Sequence, residues 1–171
     1  MIYVAVILSA ISVLATLAVV WLFLRDRNRA RIADYRAKTL TETLPNRLQA
    51  YERLALYLSR ISPEEMAVRE QMTAASAKDL YIAMSNAIRQ EFEHNVVMQI
   101  YISAASWKRV LKAKEMVLND LKEAFKSTHP NAKPIEYAAE FIELAKNSCN
   151  FYVERAQEGL RKDIAGEVFD D

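Results

Sequence analysis

The chain has 171 residues, of which 52% are hydrophobic and 26% are charged, and its net charge is +1. This composition is typical of a folded domain with an appendage and excludes an intrinsically disordered chain. Two glycines, four prolines and one cysteine exclude a glycine-rich phosphate-binding loop, an internal disulfide framework and a multi-cysteine zinc site, and they disfavour a β-sandwich or barrel.

The first segment, residues 1–24, has no charged side chain, whereas residues 25–38 carry six basic and two acidic ones. As a helix the apolar run would extend about 36 Å, enough to cross a hydrocarbon core of about 30 Å. The side chains expected at the membrane interface are Trp21, Arg25, Arg27, Arg29 and Arg31. The pattern favours a transmembrane anchor over a cleaved signal peptide or a buried core helix, since no basic residue precedes the run.

The arginines that follow the apolar run also predict its orientation. Positive residues are retained on the cytoplasmic side, so we expect the N-terminus outside and the remaining chain in the cytoplasm. This describes a single-pass protein of the inner (cytoplasmic) membrane. The lone Cys149 is consistent with a reducing compartment.

The rest of the chain shows helical periodicity and no sustained alternation of period two. Residues 25–44 resemble a basic juxtamembrane stalk, and Pro45 is predicted to begin a helix that ends near Ile61. Ser62, Pro63 and Glu65 then form a helix start signal with a capping box, for a short helix to about Met72.

Three further helices are predicted beyond this point. Ser76 and Asp79 begin a helix over 77–102, a second follows over 107–127, and a third runs from Pro134 to Gly166. Residues 166–171 form an acidic tail. The predicted class is therefore all-α, a transmembrane helix followed by a four- to five-helix bundle over residues 45–165.

Polar residues on apolar helix faces mark a candidate site. At about 100° per residue, Glu91 and Asn95 fall inside the apolar sector of the 77–102 helix and Gln99 borders it. Arg47 and Lys114 lie in the apolar stripes of two other helices. A carboxylate in such a position needs a compensating partner. The five side chains predict a polar cluster, which is either a structural network or a functional pocket.

A Glu-x-x-His motif and a basic helix side are weaker indications of function. Glu91 and His94 form a single Glu-x-x-His, whereas a di-iron bundle needs two such motifs and two further glutamates, so neither a metal nor a cofactor is expected. One helix has a basic outer side interleaved with Glu115, Asp120 and Glu123; its cations are Lys108, Arg109, Lys112, Lys122 and Lys126. Nucleic-acid-binding stripes are more uniform. A solvated face, or one that meets a membrane or an acidic partner, is expected instead.

Several stretches together resemble an uncharacterised family of small bacterial single-pass membrane proteins. They are LQAYERL (48–54), ISP (61–63) and IRQEFEHN (88–95), with Gln99, Tyr101 and Trp107. The resemblance covers roughly residues 1–125 and implies an N-terminal anchor, a helical cytoplasmic part and an unknown function. It implies no catalytic residue.

The functional expectation is a membrane-anchored cytoplasmic helical scaffold or interaction module, with the lipid bilayer and another protein as partners and no nucleic acid. The alternative is a small-ligand binder or enzyme that uses the polar cluster around Glu91. The two differ in one observable. A solvent-accessible cavity at the cluster favours the binder, and a sealed, pairwise-satisfied network favours the scaffold.

Overall fold

A computed structural model describes the backbone of residues 2–72 and 74–169 and the side chains of residues 16–27, 31, 42–72 and 74–166. Every regular element in the described backbone is helical, which confirms the all-α class. Among the side chains described, no helix offers an apolar stretch of the length that crossing a membrane requires. The side chains of residues 1–15, and so most of the predicted anchor, lie outside the described part.

Six α-helices and one 3₁₀ helix follow one another along the described backbone. They are α1 (Ile2–Arg60), α2 (Pro63–Gln71), α3 (Ala77–Asn95), the 3₁₀ helix (Val96–Ile100), α4 (Ala104–Ser127), α5 (Pro134–Lys146) and α6 (Cys149–Phe169). The chain divides into two compact units, Met1–Pro45 and Asn46–Asp171. The second unit is the helical bundle. It holds the end of α1 and five further α-helices, which is more than the four or five expected.

Pro45 lies inside α1 rather than at the start of a new helix, so that prediction is wrong. Proline removes one backbone hydrogen bond and disfavours a helix interior by about 3 kcal/mol. The flanking segments are rich in Ala, Arg and Leu, which are strong helix formers. These helix formers offset part of the cost of the proline.

The short helix α2 begins as predicted at Pro63, but without the expected capping box. Ser62 occupies the N-cap position and makes no side-chain capping hydrogen bond. Glu65 instead accepts a hydrogen bond from the Ser59 hydroxyl at 2.6 Å. The carboxylate is thus used to join the end of α1 to α2.

The start of α3 has two sources of capping. Ser76 Oγ accepts from the Asp79 amide at 3.2 Å, which confirms the predicted cap. The amides of Ala77 and Lys78 donate to the carbonyls of Ala132 and Pro130 at 2.9 and 3.1 Å. The turn between α4 and α5 therefore supplies acceptors for the first amides of α3.

The helix predicted over 77–102 is shorter than expected, since α3 ends at Asn95 and a 3₁₀ helix follows. The Asn95 amide nitrogen donates to the Glu91 carbonyl at 2.7 Å, which competes with the backbone ladder. Two β-branched residues, Val96 and Val97, come next and have lower helix propensity. The chain tightens into a 3₁₀ turn at this point.

The last predicted helix is two helices, because the chain breaks at Asn147 and Ser148. Asp120 of α4 is almost fully buried, at 2% exposure. Its two oxygens accept from the Ser148 hydroxyl at 3.0 Å and the Cys149 amide at 2.9 Å. A carboxylate from another helix thus caps α6, and α6 continues past Gly166, which was expected to end it.

The core of the bundle is apolar and rich in aromatic rings. Tyr81 stacks on Phe125 with ring centroids 4.7 Å apart, and Tyr137 meets both rings edge-on. The Tyr137 hydroxyl donates to the Leu121 carbonyl at 2.9 Å. Burial is the main reason that the pKa of the Tyr137 hydroxyl lies far above its usual range. This core holds α3, α4 and α5 together.

Candidate functional site

A polar cavity of about 240 Å³ lies between α1 and α3. One wall comes from residues on one face of α1, and the other from residues on one face of α3. The lining residues are Arg53, Leu56, Tyr57, Arg60, Glu91, His94 and Asn95. The cavity contains two of the five residues of the predicted polar cluster.

Glu91 forms its ion pair with Arg60, not with the expected Arg47 or Lys114. Arg60 Nη1 donates to Glu91 Oε1 at 2.8 Å. The side chains are 26% exposed for Glu91 and 45% for Arg60. Glu91 therefore lies at the edge of the apolar face, where a cation from the end of α1 reaches it without being buried.

Three of the predicted cluster residues, Arg47, Lys114 and Gln99, do not converge on Glu91. Arg47 Nε donates to the Tyr101 carbonyl at 3.2 Å, after the 3₁₀ helix. Lys114 Nζ lies 3.8 Å from the ring centroid of Phe92, a cation–π contact. Gln99 is exposed on the 3₁₀ helix, because the turn that follows Asn95 changes the helical phase.

The exposure of the Arg60–Glu91 pair predicts a small effect on stability. Glu91→Ala should lower the free energy of unfolding by no more than about 1 kcal/mol, as for other exposed ion pairs. A double-mutant cycle with Arg60→Met, followed by chemical denaturation, should give a coupling energy of about 0.2–1 kcal/mol. The exposed Glu93 is the control, and Glu93→Ala should change stability by less than about 0.5 kcal/mol. A larger coupling of Glu91 with Arg47→Met would contradict the pairing.

Tyr57 is the cavity residue that the sequence analysis missed, since it lies outside the predicted apolar stripe of α1. Its side chain is 1% exposed, and its hydroxyl has no hydrogen-bond partner among the described residues. Burial, then the negative charge of Glu91, raises the pKa of this hydroxyl well above its usual range. The group therefore stays protonated beside a carboxylate. In the sequence, Tyr57 lies one helical turn from both Arg53 and Arg60, and this position would have placed it on the same face of α1 as the two cations.

A basic groove, also about 240 Å³, lies between α4 and α6. Its lining contains no acidic residue and consists of Lys108, Arg109, Lys112, Tyr152 and Arg155. None of its four cations forms an ion pair within the described part of the chain. Three of them belong to the predicted basic side of α4, and Arg155 comes from α6.

The rest of that predicted side of α4 is not part of the groove. Lys126 Nζ pairs with Glu123 at 2.7 Å, and Asp120, expected on the outer side, is buried. The spacing Val110, Ala113, Val117, Asp120, Ala124 is that of a buried stripe, and all five are buried. The position of Asp120 in this stripe could therefore have predicted its burial. It could not have predicted its partner on α6.

Gly159 allows Arg109 to lie in the groove. A Cβ at Gly159 would come within 2.8 Å of Arg109 Nη1 and 3.0 Å of its Cδ. Beside the groove, a hydrogen bond and charge contact with Lys162 hold the pKa of Glu158 below its usual range, with smaller contributions from Arg155 and Arg109. The main cause of this shift, Lys162, lies outside the groove lining.

The predicted membrane-interface residues are described in part. The Arg25 guanidinium lies 5.3 Å from the ring centroid of Trp21, and that of Arg27 lies 5.7 Å from Phe23. Arg31 is exposed. The side chain of Arg29 lies outside the described residues. Arg25 and Arg27 therefore each lie one helical turn after an aromatic ring.

Within residues whose side chains are described, no cluster of His, Cys, Asp and Glu could bind a metal ion. The model of a family of unknown function, DUF7935, matches residues 1–166, a longer stretch than the roughly 1–125 of the expected resemblance. No curated protein and no solved structure matches the chain.

Proposed function

The chain belongs to DUF7935, a family of unknown function, and we propose that it is a membrane-anchored helical module that binds an acidic segment of another protein. The basic groove is the observation that carries the proposal. Four cations without acidic neighbours in the lining attract carboxylates, and the Tyr152 ring adds an apolar contact. The mixed charge of the outer side of α4 argues against nucleic acid as the ligand.

The proposed anchor is the apolar run of residues 1–24 in a bacterial inner membrane. In its described part, Leu17, Trp21 and Phe23 are each about 60% exposed. A contiguous exposed apolar surface of this kind requires a cover, and the arginines that follow suit anionic headgroups. The N-terminus would then lie outside, with the bundle in the cytoplasm.

Membrane attachment is tested on the full chain by fractionation and alkaline extraction. We expect the chain in the membrane fraction, with a C-terminal reporter active only in the cytoplasm. Two charges in the middle of the run, Leu14→Asp with Leu17→Asp, should release it, since a charge costs about 2.5–3.5 kcal/mol at the centre of a span. Val68→Asp with Val97→Asp, at exposed positions of the bundle, is the control. Release of the unmodified chain would overturn the anchor.

The groove is tested with a fluorescent hexaglutamate peptide and the full chain in zwitterionic detergent. We expect binding that weakens with salt and falls at least tenfold in Lys108→Glu with Lys112→Glu. The matched control is Lys122→Glu with Lys126→Glu, which reverses two charges of α4 outside the groove. Equal losses in both pairs, or tighter binding of single-stranded DNA or phosphatidylglycerol vesicles, would overturn the protein partner.

A second candidate function, a small-ligand binder at the cavity around Glu91, is supported by a separate observation. The cavity of about 240 Å³ is lined by three charged side chains, Arg53, Arg60 and Glu91. Charged groups that converge on a cavity of this size suit a small polar ligand.

A further inference from the structure

We propose that the basic groove between α4 and α6 binds the acidic tail, residues 166–171, of a second copy of this chain. The inference rests on the proposed function and names its acidic partner. The groove supplies cations and an aromatic surface. The tail supplies carboxylates on both sides of an aromatic ring. Two segments of the same sequence would thus join two molecules.

The charge of the basic groove is uncompensated within its lining. Lys108, Lys112 and Arg155 are exposed, and Arg109 is half-buried. None of the four forms an ion pair in the described part of the chain. A cleft lined by charge of one sign attracts a segment of the opposite sign. A segment with about as many negative charges is therefore the best complement.

Two aromatic rings beside these cations add an apolar component. The ring centroids of Phe151 and Tyr152 are 5.4 Å apart. Lys112 Nζ lies 5.6 Å from the ring centroid of Tyr152, and the Arg155 guanidinium lies 5.7 Å from that of Phe151. Phe151 is 56% exposed. A segment that combines carboxylates with an aromatic side chain suits this surface better than a purely acidic one.

The acidic tail has this combination of groups. Residues 167–171 read EVFDD, with three acidic residues, no basic residue and Phe169 between them. No other window of five residues in the chain holds three acidic residues. The side chains of residues 167–171 lie outside the described part of the chain. The complementarity is therefore one of chemistry, in which three negative charges and one ring meet four positive charges and two rings.

The tail of the same molecule does not reach Arg155 in the groove. Helix α6 continues to Phe169. At about 1.5 Å per residue, Glu167 lies about 18 Å beyond Arg155 along the helix axis. The two residues after Phe169 extend at most about 7 Å, even if they turn back. The tail that occupies the groove must therefore come from a second molecule.

Self-association is tested by sedimentation velocity of the full chain in zwitterionic detergent, as a concentration series. We expect association that grows with concentration and weakens with salt. Lys108→Glu with Lys112→Glu should weaken it at least tenfold, because the groove loses its net positive charge. Asp170→Lys with Asp171→Lys should do the same, because the tail becomes positive.

A mixture of these two variants tests contact between molecules. Each variant alone should remain largely monomeric, whereas the mixture should associate, since the unmodified tail of one meets the unmodified groove of the other. Lys122→Glu with Lys126→Glu, which reverses two charges of α4 outside the groove, should associate as the unmodified chain does.

A tail peptide tests the role of the rings. Fluorescent EVFDD should bind the full chain carrying Asp170→Lys with Asp171→Lys at least threefold more tightly than the same peptide with Phe169→Ala. Phe151→Ala in the full chain, at an exposed position, should abolish that difference. Equal binding of the two peptides to the chain that retains Phe151 would overturn the aromatic contact.

The outcomes separate the second copy from the proposed function. A chain that stays monomeric, or whose association survives reversal of the tail charges, would overturn the second copy as occupant. If hexaglutamate still binds the groove in that case, the proposed function stands and the acidic segment belongs to a different protein. Loss of hexaglutamate binding as well would overturn both.

Discussion

Replacing Asp120 by alanine is expected to lower the free energy of unfolding by about 3 kcal/mol. The carboxylate that caps α6 is lost, and the two groups that donate hydrogen bonds to it stay buried without an acceptor. The Cys149 amide and the Ser148 hydroxyl both donate to this carboxylate. Cys149 is fully buried, so water cannot readily replace the lost acceptor. Chemical denaturation followed by near-ultraviolet circular dichroism measures the change.

Two matched variants separate capping from other effects of Asp120. Asp120→Asn keeps one side-chain oxygen as an acceptor and should cost about 1 kcal/mol or less, because asparagine caps helices as well as aspartate does. Glu123→Ala removes an exposed carboxylate from the same helix and should cost less than about 0.5 kcal/mol. A cost for Asp120→Ala no larger than that of Glu123→Ala would show that the carboxylate does not cap α6.

The second large effect is expected at Gly159, where Gly159→Leu should lower the free energy of unfolding by about 1–2 kcal/mol, because the cost of overpacking exceeds the gain in helix propensity. The first carbon of the new side chain already falls within 3.0 Å of two Arg109 atoms and 3.3 Å from Ser106 Oγ. Ser106 is fully buried and cannot move far. Arg109 would be displaced, so hexaglutamate binding should weaken as well.

Gly166 is the control for this substitution. It lies in the same helix but is exposed, and Gly166→Ala should stabilise the chain by up to about 1 kcal/mol through higher helix propensity. Thermal unfolding of the two variants should therefore shift in opposite directions. A stabilising Gly159→Leu would mean that α4 and α6 do not pack closely at this point.

Sequence periodicity predicted the helical class and the positions of most breaks, because those depend on local signals. Ser76 and Pro63 begin their helices as expected. The break at Asn147 was missed because its cause is Asp120, which is distant in sequence. No local pattern shows which helix start a buried carboxylate will reach. Helix propensity likewise argues against a helix through Pro45, which α1 nevertheless contains.

The location of the candidate sites was predicted better than the residues that pair within them. Helix periodicity predicted a polar site at Glu91 and Asn95, and both line the cavity. Helix angle favoured Arg47 as the partner of Glu91, whereas Arg60 is the cation that reaches it. Angle on one helix does not determine the axial level at which two helices meet. Tyr57 and Arg155 were missed for the same reason, since each matters only through a residue on another helix.

The turn that joins α4 to α5 has a consequence for tolerance to change in chain length. Its residues are mostly exposed, which is typical of sites where insertions are accepted. Yet the Pro130 and Ala132 carbonyls accept hydrogen bonds from the first amides of α3. One inserted residue would shift these acceptors out of register while leaving the surface unchanged. For a protein engineer, this turn is a poor place for a tag or a permuted terminus, despite its exposure.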